Sequence, residues 1–156
     1  MKLSQLTMNM PELLELTADA EISSLTANSK EKCRQGLFFC IRGGTVDAHN
    51  FAPQAIENGC VALVVERKLD IDCPQVLVRD SREAAALIAA IFYGHPAKEM
   101  KLIGITGTKG KTTTSFQVKS ILETAGYKVG LIGTVCSMIG DTQIPSKLTT
   151  PDHIDF

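Results

Sequence analysis

Residues 102–106, Leu-Ile-Gly-Ile-Thr, form an apolar run that leads directly into Gly107-Thr108-Lys109-Gly110-Lys111-Thr112-Thr113-Thr114. A helix-patterned stretch follows over residues 111–124, with Phe116, Val118, Ile121 and Leu122 on one face and Gly126 to end it. Strand, glycine-punctuated turn and helix in that order constrain the chain more than any other feature. Glycines let backbone amides approach an anion closely, and a helix N-terminus adds partial positive charge. The segment therefore reads as a phosphate-binding turn, formed by Gly107, Thr108, Lys109, Gly110, Lys111, Thr112 and Thr113. Lys111 is the candidate catalytic residue, with its charge reaching the β- and γ-phosphates of a nucleotide, and the Thr112 hydroxyl is the candidate Mg²⁺ ligand. The spacing departs from the common G-x-x-x-x-G-K-[ST] pattern, because the position five before Gly110 is Ile105. The strand before the turn and the amphipathic helix after it support the reading in spite of that. Lys109 either flanks the phosphates or faces solvent.

The preceding hundred residues repeat the same alternation. Residues 36–41, 61–65 and 75–78 are short apolar or β-branched runs, read as buried strands. Residues 22–27 read as a weaker strand. Residues 10–16, with Pro11 near the start, read as a short helix. Residues 50–58 have helical spacing and stop at Gly59, and a further helix is expected from an N-cap at Ser81 through Phe92. Alternating strands and helices predict an α/β fold with a largely parallel sheet. Gly94-His95-Pro96 and the polar run around Lys98, Glu99 and Lys101 mark a boundary, giving domains over residues 1–97 and 98–156. The second would hold only the first βαβ part of its domain.

Composition narrows the function classes. The chain has 156 residues, 44% hydrophobic and 21% charged, which suits a globular protein with a real core. A net charge of -1 gives no basic footprint for nucleic acid or an anionic membrane. The N-terminus lacks a signal-peptide pattern and no run is long enough to span a bilayer, so a cytoplasmic chain is expected. Its five cysteines include no C-x-x-C pair, which argues against zinc and for free, partly buried thiols in a reducing compartment.

Residues 106–114 resemble the phosphate loop of the Mur ligases, which departs from the common pattern in the same way. Gly36-Leu37-Phe38, Arg42-Gly43, Asp47, His49, Phe51 and Ala55-Ile56-Glu57-Asn58-Gly59 resemble the N-terminal domain of the MurE branch, and Leu148-Thr149-Thr150-Pro151 resembles that branch's Thr-Thr-Pro loop. The resemblance spans nearly the whole chain. It implies a small N-terminal α/β domain that holds the UDP end of the substrate, followed by the start of an ATP-binding central domain. It also implies an ATP-dependent ligase of peptidoglycan synthesis, serving cell-wall biogenesis, cell shape and division. Such an enzyme adds the third amino acid to UDP-N-acetylmuramoyl-L-Ala-D-Glu through an acyl phosphate, with ATP and Mg²⁺. By the same resemblance Ser29, Gly44, Thr45 and Val46 would contact the uridine diphosphate end, and Thr149 and Thr150 the muramoyl-dipeptide.

This chain carries Asn28-Ser29-Lys30 where the family has Asp-Ser-Arg, and Ala48 where the family has glycine after Asp47. Lysine lacks arginine's bidentate fork, so the phosphate contact there is altered. His49 reads as a turn-packing residue or a substrate contact, and Asp47 as a turn cap or a binder. Two other functions stay open: a different ligase of the superfamily, and a non-catalytic phosphate-loop module. A monomeric, inactive N-terminal fragment with at most weak nucleotide binding is the expectation for these 156 residues alone.

Overall fold

The computed structural model describes residues 1–144, and the chain divides into two compact units, Met1–Glu99 and Met100–Phe156. The first is built on five strands: β1 (Leu13–Leu16), β2 (Ser24–Thr26), β3 (Gly36–Phe39), β4 (Cys60–Val65) and β5 (Gln75–Val78). Their order across the sheet is β1-β5-β4-β3-β2. The pairs β2–β3, β3–β4 and β4–β5 are parallel, and β1 lies antiparallel on the β5 edge.

The apolar runs are continuous because both sheet faces are covered. Side chains alternate across a strand, and the register pairs Leu37, Phe38 and Phe39 with Ala62, Leu63 and Val64. Phe38, Leu63 and Val65 join Ala52 and Ala55 of helix α2 (Ala52–Glu57) in one buried cluster. Leu37, Phe39, Ala62 and Val64 form the alternate set and are also fully buried. Helix α3 (Ser81–Phe92) packs on β3 and β4, and the short helix α1 (Leu3–Leu6) packs on α3. Each fully buried large side chain contributes about 1.5–3 kcal/mol.

Three local expectations are corrected in this unit. Residues 10–16 are not a helix. Residues 13–16 form β1, because the β5 edge offers a ladder that continues past the strand through Arg79 N–H to the Glu12 carbonyl and Thr17 N–H to the Gln75 carbonyl. Tertiary pairing overrides a weak local preference there. The N-cap of α3 is Asp80, not Ser81. The Asp80 carboxylate accepts from the Arg82 and Glu83 amides, at 2.8 and 2.9 Å. The helix expected over residues 50–58 begins earlier, as a 3₁₀ turn over Ala48–Phe51 capped by Asp47, and then runs into α2.

The second unit contains helix α4 (Lys111–Thr124) and an antiparallel meander of β6 (Gly130–Ile132), β7 (Ser137–Ile139) and β8 (Thr142–Ile144). Residues 102–106, expected as a strand, have no strand conformation, and Leu102 and Ile103 are 74% and 60% exposed. A strand persists through its ladder, and no described strand pairs with this segment. The apolar face of α4 is only partly covered among the described residues: Val118 and Leu122 are half-buried, whereas Phe116 is exposed and Ile121 is 68% exposed.

Candidate functional site

The phosphate-type loop occupies the expected place before α4. Gly110 is the N-cap of α4 in the left-handed region at φ 79°, and no side chain caps the helix. An L side chain would be strained in that conformation, so glycine belongs there. The uncapped first turn leaves backbone amides directed outward at the positive end of the helix dipole. Lys109, Lys111, Thr112 and Thr113 are all exposed. The Lys111 ammonium folds back to donate to the Gly107 carbonyl at 2.6 Å, which holds its charge over the loop. The Thr112 hydroxyl is the kind of hard oxygen donor that Mg²⁺ accepts, completed in such sites by phosphate and water oxygens. Among the described residues no group of three or more His, Cys, Asp or Glu could hold a metal by itself.

The first unit presents two loops on the carboxyl side of adjacent parallel strands, the edge where open α/β sheets bind ligands. The loop after β2 carries Ser29. Its hydroxyl donates to Gln54 Oε1 at 2.7 Å, and its carbonyl accepts from Asn58 Nδ2 at 2.8 Å. Asn28 Oδ1 accepts from the Lys30 amide at 3.1 Å, a local turn that leaves the Lys30 side chain in solvent. The loop after β3 closes through an isolated antiparallel backbone β-bridge between Arg42 and Asp47 and a 2.8 Å bond from Gly43 N–H to the Val46 carbonyl. Gly44, Thr45 and Val46 stand exposed at its tip. Thr149 and Thr150 lie outside the described residues.

His49 is structural. Its side chain is fully buried; Nδ1 lies 2.5 Å from Asp47 Oδ1, and Nε2 accepts from the Glu66 amide at 3.0 Å. Asp47 also accepts from Arg67 at 2.8 Å. The Arg67 guanidinium, followed by the His49 ring and amide, holds the Asp47 carboxyl well below its ordinary value of 3.8. Glu66 in turn accepts from the Ser81 amide and hydroxyl, at 2.9 and 2.8 Å. One chain of polar contacts therefore ties the base of the 42–47 loop to β4 and the start of α3. The sequence assigned no role to Gln54, Asn58, Glu66 or Arg67. Gln54 and Asn58 pair with Ser29 and Arg67 with Asp47, 20 to 29 positions away, and Glu66 pairs with His49 and Ser81, 17 and 15 positions away; no local pattern encodes such pairs.

A parallel α/β unit followed by a glycine loop at an uncapped helix start defines the class: an α/β protein with a phosphate-type loop. Residues 105–156 match the Mur ligase middle domain. The chain is 44% identical, over 99% of its length, to the UDP-N-acetylmuramoyl-L-alanyl-D-glutamate--2,6-diaminopimelate ligase of Geobacillus thermodenitrificans, of which the match covers 32%. It is 47% identical to the ligase of the same name from Bacillus velezensis, over 87% of this chain and 28% of that one. Among solved structures it resembles MurF from Acinetobacter baumannii, with TM-score 0.61 and 29% identity over 78% of this chain and 27% of that one. MurF from Thermotoga maritima in complex with ADP matches with TM-score 0.52 and 30% identity, over 65% of this chain and 23% of that one. Residues 105–156 carry the Mur ligase middle domain, and the chain as a whole is similar to Mur ligases. Its similarity is to the MurE branch in sequence, and it spans about 30% of the length of the curated relatives it matches.

Proposed function

We propose that this chain supplies the uridine-diphosphate-binding unit and the phosphate loop of an ATP-dependent ligase that adds the third amino acid to UDP-N-acetylmuramoyl-L-Ala-D-Glu. The observation that carries this reading is the 44% identity to the Geobacillus ligase, which runs through both loop regions across 99% of the chain. The relatives' names make 2,6-diaminopimelate the amino acid to test first.

The substrate carboxylate attacks the γ-phosphorus of ATP, and ADP leaves. The amine of the incoming amino acid then attacks the acyl phosphate, expelling phosphate and losing a proton as the amide forms. Charge accumulates on phosphate oxygens throughout, so catalysis rests on positioning and electrostatic stabilisation. Amides of residues 107–110 and the α4 N-terminus would bind the phosphates, with Thr108, Lys109 and Thr113 alongside. Lys111 would exchange the Gly107 carbonyl for a phosphate oxygen. Mg²⁺, held in part by Thr112, would neutralise phosphate charge when bound. Ser29, Gly44, Thr45 and Val46 would hold the uridine diphosphate end, and Thr149 and Thr150 the dipeptide side. Cytoplasmic location and a monomeric state complete the proposal.

Calorimetric titration of the chain with UDP-N-acetylmuramoyl-L-Ala-D-Glu, with UDP as control, tests it. Binding is expected, weakened about 3- to 10-fold by Ser29→Ala, the worth of one hydrogen bond. A folded chain that binds neither ligand would remove support for the substrate loops. A parallel titration with ADP and Mg²⁺ should lose any detectable heat in Lys111→Ala, whose thermal midpoint should match the parent because Lys111 is exposed.

A further inference from the structure

We propose that Cys33 and Cys60 are a reversible oxidation site, whose disulfide latches the loop after β2 onto the first residue of β4. All five cysteines are free thiols in this structure. The Cys33 and Cys60 sulfurs already lie 3.2 Å apart, across 27 positions of chain. Cys40 and Cys73 belong to the same apolar cluster, yet neither has a sulfur partner.

The approach of the two sulfurs is built by the backbone. Gly36 is the ladder partner of Cys60, and a Cβ on it would run into the Cys33 sulfur and meet that of Cys60 at 3.0 Å. Gly59, at φ 102°, leaves room for the Cys33 carbonyl, which a Cβ there would strike. The Cys33 amide donates to the Asn58 carbonyl at 2.9 Å, and this bond anchors the residue beside β4. A disulfide needs the sulfurs at about 2.05 Å, so closure requires roughly 1 Å of movement. That movement falls on the loop side.

The two thiols are unequal. Cys33 is half-buried and reachable from solvent, whereas Cys60 is 3% exposed. Burial, reinforced by the Cys33 thiol, pushes the Cys60 thiol up. Cys33 therefore reacts first. With hydrogen peroxide as oxidant, the Cys33 thiolate attacks one oxygen and the O–O bond breaks. A sulfenic acid forms, and the departing hydroxide takes a proton to become water. The Cys60 sulfur then attacks the Cys33 sulfur, the S–O bond breaks, and hydroxide leaves as water with the Cys60 proton. Two thiols and one peroxide give one disulfide and two waters.

The test is peptide mass spectrometry of the 156-residue chain after graded peroxide, with alkylation of remaining thiols. A linked Cys33–Cys60 peptide is expected, with three of the five thiols still alkylated and all five recovered after dithiothreitol. The thermal midpoint of the oxidised chain should rise by about 5 °C or more, from restriction of the unfolded chain. In Cys60→Ser, Cys33 should instead be trapped as a dimedone adduct. The unmodified chain provides the primary readout, so a poorly folding variant does not blunt the test. Cys33 oxidised to sulfinic acid while Cys60 remains alkylatable, a link to any other cysteine, or no oxidation at peroxide levels that modify a surface thiol would each overturn the proposal. The result is independent of whether the loop binds a uridine diphosphate.

Discussion

Both units of this chain carry apolar runs, and they bury them very differently. In the Met1–Glu99 unit, Phe38, Phe39, Leu63, Val64, Val65 and Ile88 are all at most 1% exposed. In the Met100–Phe156 unit, Leu131 is the buried hydrophobe among the described residues, while Leu102, Ile121, Tyr127, Val135 and Ile139 are each at least 60% exposed. Burial needs a second layer. The first unit has helices on both faces of a five-stranded sheet, whereas the second has one helix and a small meander among its described residues. An apolar pattern thus announces which face an element is suited to bury, and the burial itself depends on what is packed there.

The largest effect that can test this contrast is in the core. Phe38→Ala should cost about 3–5 kcal/mol, a large share of a domain's total stability, measured by urea unfolding of the first unit. The matched truncation Ile121→Ala, at an exposed position of α4, should stay within about 0.5 kcal/mol. Equal costs at the two positions would mean that Ile121 is covered in solution.

A smaller effect separates glycines required by geometry from those that are not. Gly59→Ala places a Cβ against the Cys33 carbonyl at a positive φ and should cost about 2 kcal/mol or more. Gly44→Ala meets nothing within 4 Å and should be silent in the same unfolding assay. If Gly59→Ala is also silent, the packing of the 29–35 loop on β4 is looser than described.

The smallest is a pH effect. Asp47 has a folded-state pKa held below its ordinary 3.8 by Arg67 and His49. Its stabilising contribution is therefore fully present above about pH 4 and is lost as pH falls below that, toward the folded value. Asp47→Asn should flatten that acid limb of the first unit's unfolding free energy and leave the second unit's signal unchanged. An acid limb of unchanged slope would show that other carboxylates set it.

Much of this architecture could be read from the residues. The apolar and β-branched runs became β3, β4 and β5, and the glycine-punctuated turn before Lys111 leads into α4 as its spacing required. These signals are local: a run covered on both faces must be apolar throughout, and a loop that brings amides to an anion must lack side chains. The site was legible to the same extent. The residues of the phosphate-type loop are contiguous, whereas Ser29 depends on Gln54 and Asn58, and Asp47 on Arg67, across distances of chain that no periodicity records.

By itself the sequence determined the alternation of strands and helices, the phosphate-type loop with Gly110 at the helix start, and through its identities the likeness to Mur ligases. Tertiary structure decided the matters that depend on a partner. Residues 13–16 became a strand because the β5 edge was open to them, and residues 102–106 did not, because no described strand pairs with them. His49 became a buried clasp between Asp47 and Glu66, and Cys33 came to face Cys60. Each outcome is a contact between distant positions, and its energy exists only once the chain has brought both groups together.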